Sequence, residues 1–118
     1  MIVNLKFNIV TDSSGDYTAT AERSVLGKLV AIDYALNGLD ATADTTLSYT
    51  GGANVSRNLI VFTNSQATAA SRVVTDALDV AGAASGTDLS PFVDGKLVLT
   101  VAQGGNVKTG TFVAYVEV

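Results

Sequence analysis

From Val3 to Ile9 the chain alternates without a break: Val3, Leu5, Phe7 and Ile9 are apolar, and Asn4, Lys6 and Asn8 are polar. Side chains of a strand point to opposite faces in turn, so a period of two buries one set and solvates the other. The stretch is therefore a half-buried strand. The residues that follow, TDSSGDY (11–17), bond their own backbone or tolerate unusual dihedrals, and they read as a turn.

Further strands follow at close spacing. In SVLGKLVAIDYALNG (24–38), Val25, Leu29, Ile32 and Leu36 also fit helical spacing, with Ser24 and Gly38 as caps. Gly27 in the first turns and the β-favouring Val25, Val30, Ile32 and Tyr34 decide for a strand. TTLSYTGG (45–52) and SRNLIVFTN (56–64) are two short strands bounded by Gly, Asn and Thr. QATAASRVVTDALDVAGAASG (66–86) reads two ways. Val74, Leu78 and Ala81 line a short helix ended by Gly82, or the segment is an irregular strand and loop. GKLVLTVAQ (95–103) and GTFVAYVEV (110–118) are the last two strands. In the final one both faces are apolar, Phe112, Ala114, Val116 and Val118 on one and Val113 and Tyr115 on the other. With one proline and no linker in the chain, the expectation is a single mainly β domain over residues 1–118. It is an antiparallel sandwich or barrel with at most one short helix.

Charged residues make up 15% of the 118, against about 25% in an ordinary globular domain, and mean hydropathy is +0.35. A small soluble monomer hides only part of so much apolar content, so part of the surface is expected to meet another protein. Net charge is −4 and the isoelectric point about 4.4. Lys6, Arg23, Lys28, Arg57, Arg72, Lys96 and Lys108 are scattered, which argues against a direct grip on nucleic acid. Asp33 interrupts the best apolar run, LVAIDYAL, well short of the ~20 residues of a membrane helix. MIVNLKFNIV carries no basic start and long apolar stretch of a signal peptide, so synthesis in the cytoplasm without export is expected.

The motifs point to turns more than to chemistry. Gly105 and Gly110 have the spacing of a phosphate-binding loop, but Lys108 and Thr109 precede the second glycine and a strand follows it. No helix N-terminus is then available for phosphate. Gly104, Gly105 and Asn106 take left-handed dihedrals readily, as a hairpin between two apolar runs requires. Asp12 and Asp16, and Asp40 and Asp44, flank turn residues without the ligand pattern of a calcium loop. Asp76 or Asp79 pairs with Arg72 as local support. NVS at Asn54 matches a glycosylation acceptor by accident. Cysteine and histidine are absent, which removes the usual nucleophile–base pairs. Tyr17, Tyr34, Tyr49 and Tyr115 would suit a sugar platform, but the core claims them more readily. The expectation is no enzymatic activity, no cofactor and no metal.

TNSQATAASRVVTDALDVAGAAS (63–85), followed by KLVLTVAQGGNVKTGTF (96–112), resembles a family of small tailed-bacteriophage structural proteins encoded near the major capsid protein. The likeness rests on Thr63-Asn64, on DVAGAAS from Asp79 to Ser85 and on GGNVKTGTF from Gly104 to Phe112. GKLVAIDY (27–34) resembles the family's early strand. Where the family often carries a Pro-Arg pair, this chain has Val73-Val74. The resemblance implies a virion protein, foremost a capsid decoration (cement) protein on the outer surface of the head. Its partner is then the major capsid protein, and its own assembly a homo-oligomer, with a trimer favoured. A neck or tail component is the alternative within the virion, and a carbohydrate-binding or adhesin-like surface module the alternative outside it. The surface expected to be buried between subunits is the last strand at Val113, Tyr115, Val116 and Val118, or the apolar loop at Val80 and Ala83.

Overall fold

The alternation at the N-terminus forms strand β1 (Ile2–Val10), with Val3, Leu5, Phe7 and Ile9 buried and the residues between them exposed. The computed structural model describes residues 1–50, 56–63, 69–73 and 92–118, the segment 69–73 by its backbone alone. Within them lie β2 (Tyr17–Ala35), β3 (Asp44–Thr50), β4 (Ser56–Phe62), β5 (Ala69–Val73), β6 (Phe92–Ala102) and β7 (Thr109–Glu117). All the ladders between them are antiparallel. The described residues contain no helix, and the expected mainly β architecture is the one the chain adopts. Strand order is β1-β7-β2-β6-β3-β4, with β5 beside β2.

The geometry of β2 organises everything else. Its 19 residues would span about 60 Å if extended, at ~3.3 Å per residue, yet the longest dimension of the molecule is 35 Å. The strand has to fold back on itself. Tyr17 to Thr20 and Ser24 to Lys28 pair with β6, and Lys28 to Ala35 pair with β7. Ala31 to Ala35 also pair with β5. The register slips between Thr20 and Ser24 and again between Leu29 and Ala31, and such bulges bend a strand. The second slip also moves the buried face from odd to even positions: Val25 and Leu29 before it, Ile32, Tyr34 and Leu36 after it. Two half-sheets result, β1-β7-β2-β5 and β2-β6-β3-β4, closing over one core as a β-sandwich-like fold.

Register brings the buried sets together. Val3, Leu5 and Phe7 face Val116, Ala114 and Phe112 across one ladder. Thr45, Leu47 and Tyr49 face Val101, Leu99 and Leu97 across another. Tyr34 links the halves, its ring 5.2 Å from that of Phe62 on β4 and 6.2 Å from that of Phe112 on β7.

Two expectations change. β2 begins at Tyr17, seven residues before the strand read from the sequence, because its inward residues there are the small Ala19 and Ala21. And GGNVKTG is a turn but not a hairpin: β6 pairs with β2 and β3, β7 with β1 and β2, so the loop crosses between the half-sheets. Positive φ falls on Gln103, Gly105 and Val107, and not on Gly104 or Asn106. The helix considered over Val74 to Ala81 lies outside the described residues, while Ala69–Val73 is a strand.

Candidate functional site

The two ends of the sandwich differ in kind. At one end three connections meet: residues 11–16, 36–43 and 103–108. Gly104 N–H donates to the Gly15 carbonyl (2.8 Å), Asp40 N–H to the Gly104 carbonyl (2.9 Å) and Val107 N–H to the Asp12 carbonyl (3.2 Å). The buried Thr11 hydroxyl donates to the Gly105 carbonyl (2.6 Å) and accepts from Lys108 N–H (2.7 Å). Three amides that a phosphate would need, those of Gly104, Val107 and Lys108, are thus committed to the fold. Asp12 accepts from the amides of Ser14 (2.8 Å) and Asp16 (3.0 Å) and so closes its own turn. This end is a knot of hydrogen bonds.

The opposite end, where β2 folds back, is apolar. The described residues include seven exposed large apolar side chains, and five of them gather here. They are Met1 (77% exposed), Ile2 (52%), Leu26 (63%), Phe92 (47%) and Val118 (45%). Register places Ile2, Leu26 and Phe92 on one face of the sheet. Ile2 lies opposite Glu117, Glu117 opposite Lys28, and Lys28 opposite Phe92, which places the row within about 14 Å at ~4.8 Å per strand. Leu26 is one step along the same face, opposite Asp94. Val118 N–H closes the chain ends together on the Met1 carbonyl (2.9 Å). Gly27 makes the crossing possible, since a Cβ there would land on the Glu117 carbonyl oxygen. Isolated exposed apolar residues are ordinary; here five gather at one end, with Glu117 and Lys28 interleaved between Ile2 and Phe92. From Leu26 a groove of about 500 Å³ runs between Thr20, Thr50, Asp94, Lys96 and Val98.

Of the residues expected at an interface, Val118 belongs to this patch. Val116 does not belong to any surface: it is fully buried against Val3 and Leu29, inside the chain's own core. Val113 and Tyr115 are half-buried on the outer face of β7, but among polar neighbours. Val113 sits between Lys6 and Asp33, and Tyr115 beside Asn4. The Tyr115 hydroxyl donates to Asp33 Oδ2 (2.7 Å). That bond, then desolvation and the Asp33 charge, push the Tyr115 hydroxyl above its ordinary range. Val80, Ala83, Asn54, Asp76 and Asp79 lie outside the described residues, as does the side chain of Arg72. The four tyrosines form no platform, because Tyr34 and Tyr49 are buried in the core. Leu26 and Phe92 were missed by sequence reasoning, although Val25 pointing inward already implied that Leu26 points out.

Comparison with known proteins bears on the fold. No family model matches the chain, and no curated protein matches it either. The Yersinia pseudotuberculosis-derived mitogen superimposes with a TM-score of 0.50 at 9% identity, over 99% of this chain and 88% of the mitogen. Structures of infectious bursal disease virus, Gt and Gx strains, superimpose at TM-scores of 0.38 and 0.40, both at 11% identity. This chain spans only 33% and 32% of those viral chains. At such identities the likeness is one of β-architecture, and the mitogen is the neighbour that carries it.

Proposed function

We propose that this chain is a virion structural protein of a tailed bacteriophage: a capsid decoration (cement) protein that binds the outer surface of the head and bridges coat subunits. The observation that carries the reading is the gathering of exposed Met1, Ile2, Leu26, Phe92 and Val118 at one end of the β-scaffold. Glu117 and Lys28 stand between Ile2 and Phe92, and Asp94 opposite Leu26, so this end offers a partner both apolar contact and charge. Fully burying a Leu or Phe side chain is worth roughly 1.5–3 kcal/mol. Several such groups contributed by each copy of an oligomer suffice to hold it on a lattice. The resemblance of residues 63–85 and 96–112 to phage head proteins supplies the setting.

Quantitative mass spectrometry of purified virions tests the proposal. A decoration role predicts hundreds of copies per particle, in a fixed ratio to the coat protein. About a dozen copies would move the protein to the neck, and absence from the particle would overturn the reading.

A further inference from the structure

Among the described residues β1 is an edge strand, and its register tells which of its backbone groups face outward. At one end of its ladder with β7, Val118 N–H donates to the Met1 carbonyl; at the other, Thr11 N–H donates to the Lys108 carbonyl. The register between them runs without a slip. In an antiparallel ladder a residue turns both its N–H and its C=O to the same neighbour, and the direction alternates along the strand. The odd residues of β1 therefore bond β7, and Ile2, Asn4, Lys6, Asn8 and Val10 turn their backbone groups away from it. Among the described residues no strand pairs with that side.

What lies beyond this edge is a second one. Tyr17 to Thr20 and Ser24 of β2 pair with β6, and among the described residues no strand pairs with their other side, because β7 reaches β2 first at Lys28. Between the two edges runs a cleft of about 390 Å³, walled by Asn4 to Asn8 of β1 and by Tyr17, Ala19 and Ala21 of β2. These last three side chains are partly buried against the core and leave room above them. Lys6, Arg23 and Glu22 stand at the rim, a local excess of positive charge in a chain of net charge −4.

We infer that this cleft receives one extended segment of a partner protein, added as a strand to β1, with small apolar side chains turned toward Ala19 and Ala21 and an acidic residue beside Lys6. Strand addition draws its affinity from main-chain bonds and its selectivity from alternate side chains. A second copy of this chain is the poorer occupant. Two β1 strands paired over their full length about a two-fold axis would set Lys6 against Lys6 of the other copy, and like charges directly opposite destabilise a ladder. The inference stands independently of the decoration role.

The test uses the labelled full-length protein and a capped octapeptide of alternating Val and Thr with one central Asp, followed by amide NMR. Binding is expected to shift and protect the amides of Asn4, Lys6 and Asn8. The same peptide with Lys in place of Asp should bind on the order of ten-fold more weakly, about 1.4 kcal/mol, and Lys6→Glu should reverse that preference. Asn8→Pro removes only an outward N–H and should abolish binding while β1 stays paired to β7. Three results would overturn the inference: no perturbation along β1, equal affinity for the two peptides, or Asn4, Lys6 and Asn8 amides already protected in the dilute protein. Protection that appears on concentrating the protein alone, with sedimentation as a dimer, would assign the edge to a second copy instead.

Discussion

Tyr115 and Asp33 sit diagonally across the β7–β2 ladder, and their hydrogen bond ties stability to pH. The bond favours the protonated phenol, so the folded chain holds this proton above the ordinary value of 10.0. Burial shifts Tyr17 in the same direction. A raised folded value means that the stabilisation is complete below pH 10 and is lost as the pH climbs through the folded values. Urea midpoints measured across the alkaline range should therefore fall as the pH rises past 10. In Tyr115→Phe the fall should be shallower, though not absent, because Tyr17 still titrates. A second residue-scale expectation concerns Gly27, whose missing Cβ leaves space for the Glu117 carbonyl where β7 passes the fold-back of β2. Gly27→Ala forces backbone to move and should cost about 1–3 kcal/mol, read as a lower denaturation midpoint.

The strands differ in how plainly the sequence declared them, and the difference has physical causes. β1 was legible because it is regular and half-buried, so period two survives along its whole length. The first third of β2 was not, because Tyr17, Ala19 and Ala21 are only partly buried and present little apolar contrast. The β6–β7 connection was read as a hairpin because two apolar runs flank glycines. Their pairing is decided elsewhere, by the bend in β2 that sends one neighbour to each half-sheet. The alternation of β1 also yields a prediction about proline. Leu5 turns its N–H to β7, so Leu5→Pro orphans the Ala114 carbonyl, at about 1–3 kcal/mol before any strain. Asn8 turns its N–H outward, where proline is tolerated on an edge. Thermal denaturation should show a large loss for the first variant and a small one for the second; equal losses would mean that the edge is assigned to the wrong set of residues.

At the scale of the molecule, one end is hydrogen-bonded through Thr11, Asp40 and Gly104, and the other is apolar around the fold-back of β2. Low charge density had signalled an exposed apolar surface, but not its place. Leu26 and Phe92 occupy outward positions that only the ladder ends and the crossing at Gly27 bring together. Of the last strand, one of the two surfaces expected, Val116 is committed to the core and Val113 lies between Lys6 and Asp33, while Val118 joins the apolar end; the other, the loop at Val80 and Ala83, lies outside the described residues. The central claim is that the apolar end seats the protein on a viral head. Co-sedimentation with undecorated heads tests it most directly, comparing the wild type with Leu26→Asp and Phe92→Asp, each checked by circular dichroism for an intact β-fold. The account predicts saturable binding by the wild type and a loss of at least about ten-fold in each variant, the equivalent of 1.4 kcal/mol. Wild-type binding that both folded variants retain, or no binding by the wild type at all, would contradict it.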